Sequence, residues 1–290
     1  MEFHNPVILN DPANPDKTAD PYVICADGKY YHCFSSDTGI FVSEFPTLDA
    51  MGTAEARTVE VFHSDTLVHS FAPELHCLDG VWYIYAAPCY AGGDGNHFMC
   101  VYRSATDSPL GPYTCLGPIE GIGEKWSIDS TVFDYKGKRY MLYTDCKTIY
   151  LSEMASPTKL IGETIPLIRI EYDWEQVMSG IVEGPAVVFH DGIPYIVYSA
   201  SDSKSDDYCL GLVRYIGGDL LNPSSWKKQS TPILSKKEGM YGPGHCSFTC
   251  ANGETYCVFH ANLESGSGWY GRHVFIKKVI FQDNTIVFPE

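Results

Sequence analysis

No stretch of this 290-residue chain approaches the roughly 20 consecutive apolar residues of a membrane-spanning helix. Basic residues are scarce: 20 Lys and Arg stand against 36 Asp and Glu, a net charge of −16. A chain so poor in positive charge is badly matched to nucleic acid or to an anionic membrane, and neither is expected as a partner. A neutral substrate such as a sugar is compatible. No Cys-x-x-Cys pair occurs among the 11 cysteines, so neither a zinc site nor a disulfide framework has the spacing it needs. Many cysteines alternate with aromatic or aliphatic residues, as in Cys33-Phe34 and Cys257-Val258-Phe259. They read as small buried hydrophobes in a reducing compartment. The opening run, Met1-Glu2-Phe3-His4-Asn5-Pro6, has neither a basic n-region nor an apolar h-region. A cytoplasmic protein is expected, or a secreted one if a leader has been removed. Long segments of helical periodicity and alternating strand–helix units are also missing, which argues against a TIM barrel or a Rossmann sheet.

What is present is a repeat. Five segments, beginning near Ala19, Ala72, Ile128, Val182 and Gly242, share one plan. Each opens on a polar residue beside Pro, Ser or Gly, runs through apolar residues to a turn, and closes on an alternating aromatic stretch. The turns are Asp27-Gly28, Asp79-Gly80, Lys136-Gly137, Asp191-Gly192 and Asn252-Gly253. Asn-Gly and Asp-Gly tolerate the positive φ angles of two-residue hairpins, whose twist matches the flanking strands. Runs such as Trp82-Tyr83-Ile84-Tyr85 and Tyr195-Ile196-Val197-Tyr198 alternate with period two and read as strands. Five such units across 290 residues predict an all-β fold, a five-bladed β-propeller with four-stranded antiparallel blades around a central axis, in one domain over 1–290.

The lead polar residues of the units are Asp20, Glu74, Asp129, Glu183 and His245, separated by 54, 55, 54 and 62 positions. Equivalent places on inner strands lie at similar depth around a propeller axis. Four carboxylates and a His are therefore expected to form a ring at one mouth. Such clustering is costly unless function, hydrogen bonds or a cation offset it. The plainer reading is that some of them cap turns. Paired carboxylates across a pocket are what glycosidic bond cleavage uses: one protonates the leaving oxygen, the other activates water or attacks the anomeric carbon.

The motifs ADPYV at 19–23, FAPELH at 71–76, SIDSTVF at 127–133, VEGP at 182–185, YSAS at 198–201, YGPGHCSF at 241–248 and GWYGR at 268–272 are specific in this order and spacing. The chain closely resembles glycoside hydrolase family 43, the inverting arabinofuranosidases, xylosidases and endo-arabinanases, from about residue 5 to 289. The resemblance implies Asp20 as general base, Glu183 as general acid, and Asp129 as the carboxylate that orients the acid and raises its pKa. It places Phe71 where the family usually has Trp, keeping an aromatic wall without the indole N–H. It implies that Glu74 supports the pocket and that Arg272 reaches sugar hydroxyls, unless Arg272 makes a surface salt bridge. Trp269 is a sugar platform or a blade-closure residue. His245 matches a residue that lies beside a hydrated calcium in many members, which implies a mainly water-mediated metal or ordered-water site and a structural calcium on the axis. No cofactor is required for hydrolysis. Loops 91–97 and 201–207 are expected to carry acceptor subsites.

The activity so implied is exo-acting, inverting release of terminal α-L-arabinofuranosyl units from plant cell-wall glycans such as arabinan and arabinoxylan. The substrate is an oligosaccharide containing arabinofuranose or xylose. β-Xylosidase or endo-arabinanase action is the alternative within the family. A non-catalytic carbohydrate-binding propeller would need loss of one of the three carboxylates, and all three are present. Asn10-Asp11-Pro12-Ala13 mimics the nucleophile motif of the fructan-cleaving propellers, but SIDS and VEGP do not match the rest of that group's pattern. A retaining mechanism is therefore disfavoured.

Overall fold

The structure is a computed structural model that describes residues 3–9 and 15–289. Among the described residues it holds strands and short 3-10 turns and no α-helix. Blade 1 comprises β1 (Tyr22–Ala26), β2 (Lys29–Ser35), β3 (Gly39–Phe45) and β4 (Arg57–His63). Blade 2 comprises β5 (Leu67–Leu78), β6 (Val81–Tyr90), β7 (Cys100–Ser104) and β8 (Tyr113–Pro118). Blade 3 follows with β9 (Ile128–Tyr135), β10 (Lys138–Thr144), β11 (Thr148–Ser156) and β12 (Lys159–Arg169). Blade 4 has β13 (Val182–His190), β14 (Ile193–Ala200), β15 (Cys209–Tyr215) and β16 (Trp226–Lys228). Blade 5 has β17 (Tyr241–Ala251), β18 (Glu254–Asn262) and β19 (Arg272–Lys278). A small ribbon of β20 (Ile280–Gln282) and β21 (Thr285–Val287) follows.

The five turns read from sequence each join the first two strands of a blade. In all five, both central residues have positive φ, from 51° and 75° at Asp27-Gly28 to 52° and 77° at Asn252-Gly253. That is the geometry that suits an antiparallel hairpin. The inner strands β1, β5, β9, β13 and β17 contact one another in sequence, and β17 returns to β1. Ring closure is completed from the start of the chain. Val7 N–H donates to Val274 O at 2.8 Å, and Val274 N–H donates to Ile8 O at 3.0 Å. Ile276 N–H donates to Asn5 Oδ1 at 2.7 Å, so residues 5–8 occupy the fourth position of blade 5. Early and late segments thus share one blade, which protects its edge and ties the ring.

Five apolar clusters fill the interfaces, one between each pair of neighbouring blades. Leu142 and Leu151 of blade 3, for example, pack on Ile196 and Tyr198 of blade 4. Burying each such side chain stabilises the fold by about 1.5–3 kcal/mol. Cysteine contributes to this filling at Cys33, Cys89, Cys100, Cys209, Cys246 and Cys257, while Cys25, Cys77 and Cys250 are exposed. All 11 thiols are free.

Candidate active site

The hairpin turns give a common origin for comparing blades. Counting seven residues back from the first turn residue reaches Asp20, Ala72, Asp129, Gly184 and His245. All five have positive φ, between 40° and 53°. Left-handed backbone is uncommon in residues other than Gly, and here it recurs at one level of every inner strand, at the same mouth. Asp20, Asp129 and His245 occupy this level directly. Glu183 lies one residue earlier, and the β13–β14 pairing shifts register between Glu183 and Ala186. A cavity of about 380 Å³ opens here, walled by Asp20, Asp129, Glu183, His245 and Arg272, with Phe71, Trp126 and Trp269 at its sides.

Glu74 is not part of this ring. It stands five residues before Asp79, two deeper than Asp20 stands before Asp27, and two strand residues span about 7 Å. Ala72 fills blade 2's place at the mouth. Glu74 lines a separate cavity of about 260 Å³ with Tyr22, His76 and Ser247. Its Oε2 lies 2.8 Å from His76 Nε2. The expected ring of four carboxylates and a His is thus three carboxylates and a His. The near-constant spacing misled because it was measured between polar residues, while register is set by the turns.

Asp20 is surrounded by donors. Its Oδ1 lies 3.3 Å from His245 Nδ1 and 3.6 Å from Arg272 Nη1. Burial alone would push its carboxyl up, but the charges of His245 and Arg272 outweigh burial and hold it below its ordinary value. The Asp20 N–H donates to His260 Nδ1 at 3.1 Å. That nitrogen is therefore unprotonated and His260 is neutral, so its 3.4 Å approach to Asp20 Oδ1 is not an ion pair. Burial, with the Arg272 charge, holds His260 well below the usual histidine range. His245 behaves oppositely. Burial favours its neutral form, but Asp20, Asp129 and Glu183 together raise its pKa.

Asp129 Oδ2 accepts Gly184 N–H at 3.0 Å and lies 4.0 Å from His245 Nδ1. Burial raises its pKa, against His245, and the charges of Glu183 and Asp20 add to the rise. Glu183 is raised as well: burial is the main cause and Asp20 adds to it, against the Tyr208 hydrogen bond and His245. The leading cause of Glu183's shift is therefore burial rather than the charge of Asp129. The two buried carboxyls form a coupled pair that keeps a proton to higher pH than an isolated carboxyl.

Tyr208 and Cys146 of the site carried no motif, whereas Ser199 belongs to YSAS. Tyr208 O–H donates to Glu183 Oε1 at 2.8 Å, and Cys146 Sγ lies 3.6 Å from Glu183 Oε2. Ser199 Oγ accepts His245 N–H at 2.7 Å. Tyr208 lies over the backbone of Gly244, where a Cβ would meet its ring at 2.0 Å. Gly244→Ala is therefore expected to cost about 1–3 kcal/mol through overpacking. It should also displace the phenol from Glu183, so thermal melting and kcat should fall together. The expected acceptor loops reach the same mouth. His97 stacks on Phe71 with centroids 3.8 Å apart. Trp269 Nε1–H donates to Ser203 Oγ at 2.9 Å, and Lys204 Nζ sits 4.2 Å over its ring. Trp269 is 45% exposed on the cavity wall, not buried in a blade seam. Arg272 points into the cavity and donates from Nε to Trp269 O at 3.1 Å, so it is not a surface salt bridge.

Calcium takes six to eight oxygen ligands. Among the described residues no three His, Cys, Asp or Glu side chains are placed to hold a metal, and His245 directs Nδ1 at Asp20 and Asp129. The side chains present do not make a direct calcium site. Asn10-Asp11-Pro12-Ala13 lies outside the described residues.

The family model for glycosyl hydrolases family 43 matches residues 3–286. An extracellular exo-alpha-(1->5)-L-arabinofuranosidase of Streptomyces chartreusis is 33% identical over 277 residues, 89% of this chain and 82% of that protein. A protein of the same name from Streptomyces avermitilis is 33% identical over 253 residues, and the match covers 81% of this chain and 52% of that protein. The chain thus spans about half the length of the latter relative. The crystal structure of an alpha-L-arabinofuranosidase from Lactobacillus brevis superposes with a TM-score of 0.87 at 28% identity, over 99% of this chain and 95% of that one. The cytoplasmic expectation does not stand, because both Streptomyces relatives are named as extracellular. The cysteine count misled for a physical reason: burial pushes thiols such as Cys33 and Cys257 far up, leaving them inert whatever the compartment. With one family model running across nearly all of a five-bladed propeller whose mouth gathers Asp20, Asp129 and Glu183, the chain belongs to glycosyl hydrolase family 43.

Proposed function

We propose that this protein is an exo-acting, inverting α-L-arabinofuranosidase that releases terminal arabinofuranosyl units from plant glycans of the arabinan or arabinoxylan type. The observation that carries this reading is the opposition of two carboxyls in one cavity. The charges of His245 and Arg272 lower the pKa of Asp20 against burial, while burial chiefly raises that of Glu183. An ionised base and a protonated acid at the same pH are what single-displacement glycoside hydrolysis requires. Asp20 takes a proton from water as the water oxygen bonds to the anomeric carbon. Glu183 gives its proton to the glycosidic oxygen as the bond to that carbon breaks, and the electron pair leaves with the aglycone. Asp129 orients the acid by holding the Gly184 N–H beside it. Exo action and the α-1,5 linkage follow the names of the Streptomyces relatives.

Linear α-1,5-linked arabino-oligosaccharides should yield arabinose alone, and proton NMR should show the β-anomer first. Turnover of xylosyl substrates with none of arabinosyl ones would overturn the sugar assignment. Glycan binding without hydrolysis would establish a binding module instead. The pH profile of kcat/KM should be bell-shaped. Its acid limb, from Asp20, should lie below the ordinary carboxylate range, and its alkaline limb, from Glu183, should lie above it. An alkaline limb at an ordinary glutamate value would contradict the assignment of the acid.

A further inference from the structure

The two oxygens of Glu183 are held by different partners, and the difference has a direction. The Tyr208 phenol donates to Glu183 Oε1 at 2.8 Å, and Oε1 is thereby committed as an acceptor. Among the described residues, the other oxygen, Oε2, has the thiol of Cys146 as its hydrogen-bond partner, at 3.6 Å.

Cys146 is put there by the backbone. Val182 N–H donates to Cys146 O at 3.0 Å. Thr144 Oγ1 donates to Val182 O at 2.7 Å and accepts Cys146 N–H at 2.9 Å. Cys146 itself has φ of +68°, uncommon for a residue with a Cβ. Two strands are therefore stitched together beside the acid, and the thiol is carried to Oε2 by that stitch.

We infer that Glu183 delivers its proton from Oε2, and that Cys146 is a positioning residue that orients this oxygen with a weak sulfur contact without retaining the proton. The inference rests on the reading of Glu183 as general acid. In the resting acid the proton is on Oε2 and sulfur is at most a weak acceptor for it. When the proton passes to the glycosidic oxygen, the thiol S–H is free to turn to the new carboxylate oxygen. The groups that face Glu183 are Tyr208, Cys146, His245, Asp20 and Asp129. Of these, Cys146 faces Oε2 and can be varied without changing charge.

The test is a pair of substitutions with opposite expected signs. Cys146→Ser places a stronger donor on the same stem, stabilises the carboxylate, and should move the alkaline limb of kcat/KM down by about half to one pH unit. Cys146→Ala removes the donor and should move the limb up. Both effects should appear on arabino-oligosaccharides and fade on an aryl arabinofuranoside with a dinitrophenolate leaving group, which needs no acid. Tyr208→Phe, useful if a Cys146 variant does not fold, should lower kcat on oligosaccharides because Oε1 is no longer pinned. Limbs that stay put or move together in the two Cys146 variants would overturn the inference, as would a rise in kcat for Tyr208→Phe. Unchanged oligosaccharide hydrolysis in Glu183→Gln would instead overturn the acid assignment itself.

Discussion

Glu183→Gln is expected to lower kcat/KM on α-1,5-linked arabino-oligosaccharides by about 10²–10⁴-fold, the range that general acid catalysis supplies. Glutamine is nearly isosteric with glutamic acid, and its carbonyl oxygen can still accept the Tyr208 hydroxyl that now lies 2.8 Å from Oε1. The cavity should keep its shape, so sugar binding should survive. What is removed is the proton. A sugar alkoxide is a poor leaving group and needs that proton in the transition state, whereas a dinitrophenolate does not. The loss should therefore be much smaller on the activated aryl substrate. A loss of the same size on both substrates would remove Glu183 from the acid role, because it would show damage to the site as a whole.

Asp20→Asn should cost roughly 10²–10⁴-fold on both substrates alike, since water must be activated whatever leaves. The substitution keeps the main-chain bond from Asp20 to His260, so the backbone turn at φ of 46° should hold. It removes the anion 3.3 Å from His245 and 3.6 Å from Arg272. His245, whose pKa is raised against burial by Asp20 first among its neighbours, should then titrate lower. Measuring kcat/KM on the two substrates, with binding followed by calorimetry, separates base from acid. A deficit that disappears on the activated substrate would mean that Asp20 is not the base.

The contrast between these two variants shows why the site needs its surroundings. Both residues are carboxyls at one mouth, and their side chains differ by a single methylene. Asp20 has a guanidinium and the His245 imidazole beside it; Glu183 has a phenol and a thiol. The opposite directions of their pKa shifts follow from these surroundings, charge outweighing burial at Asp20 and burial leading at Glu183.

Much of this was legible from residues alone. The five turns, the period-two aromatic runs and the motifs around Asp20, Asp129, Glu183, His245 and Arg272 are local features, and local chemistry specifies hairpins and strands. Glu74 marks where legibility ended. Its spacing from Asp20 looked regular, yet two residues of register carry it into another cavity. The Asp79-Gly80 turn sets this register, because each turn anchors its strand. Tyr208 and Cys146 had no such signal. They reach Glu183 from other segments of the chain, and nothing near them in the chain announces it. The compartment was beyond reach for another reason, since burial silences a thiol as fully as a reducing environment does.

The amino-acid sequence by itself determined the fold class and the number of blades, because repeats and turn chemistry act over a few residues. Only the tertiary structure decided which carboxyl has its pKa lowered and which raised, which oxygen of Glu183 is held by Tyr208, and that Glu74 stands apart. Those properties depend on burial and on charges brought within a few ångströms by strands far apart in the chain, and electrostatics at that range is a property of the assembled ring.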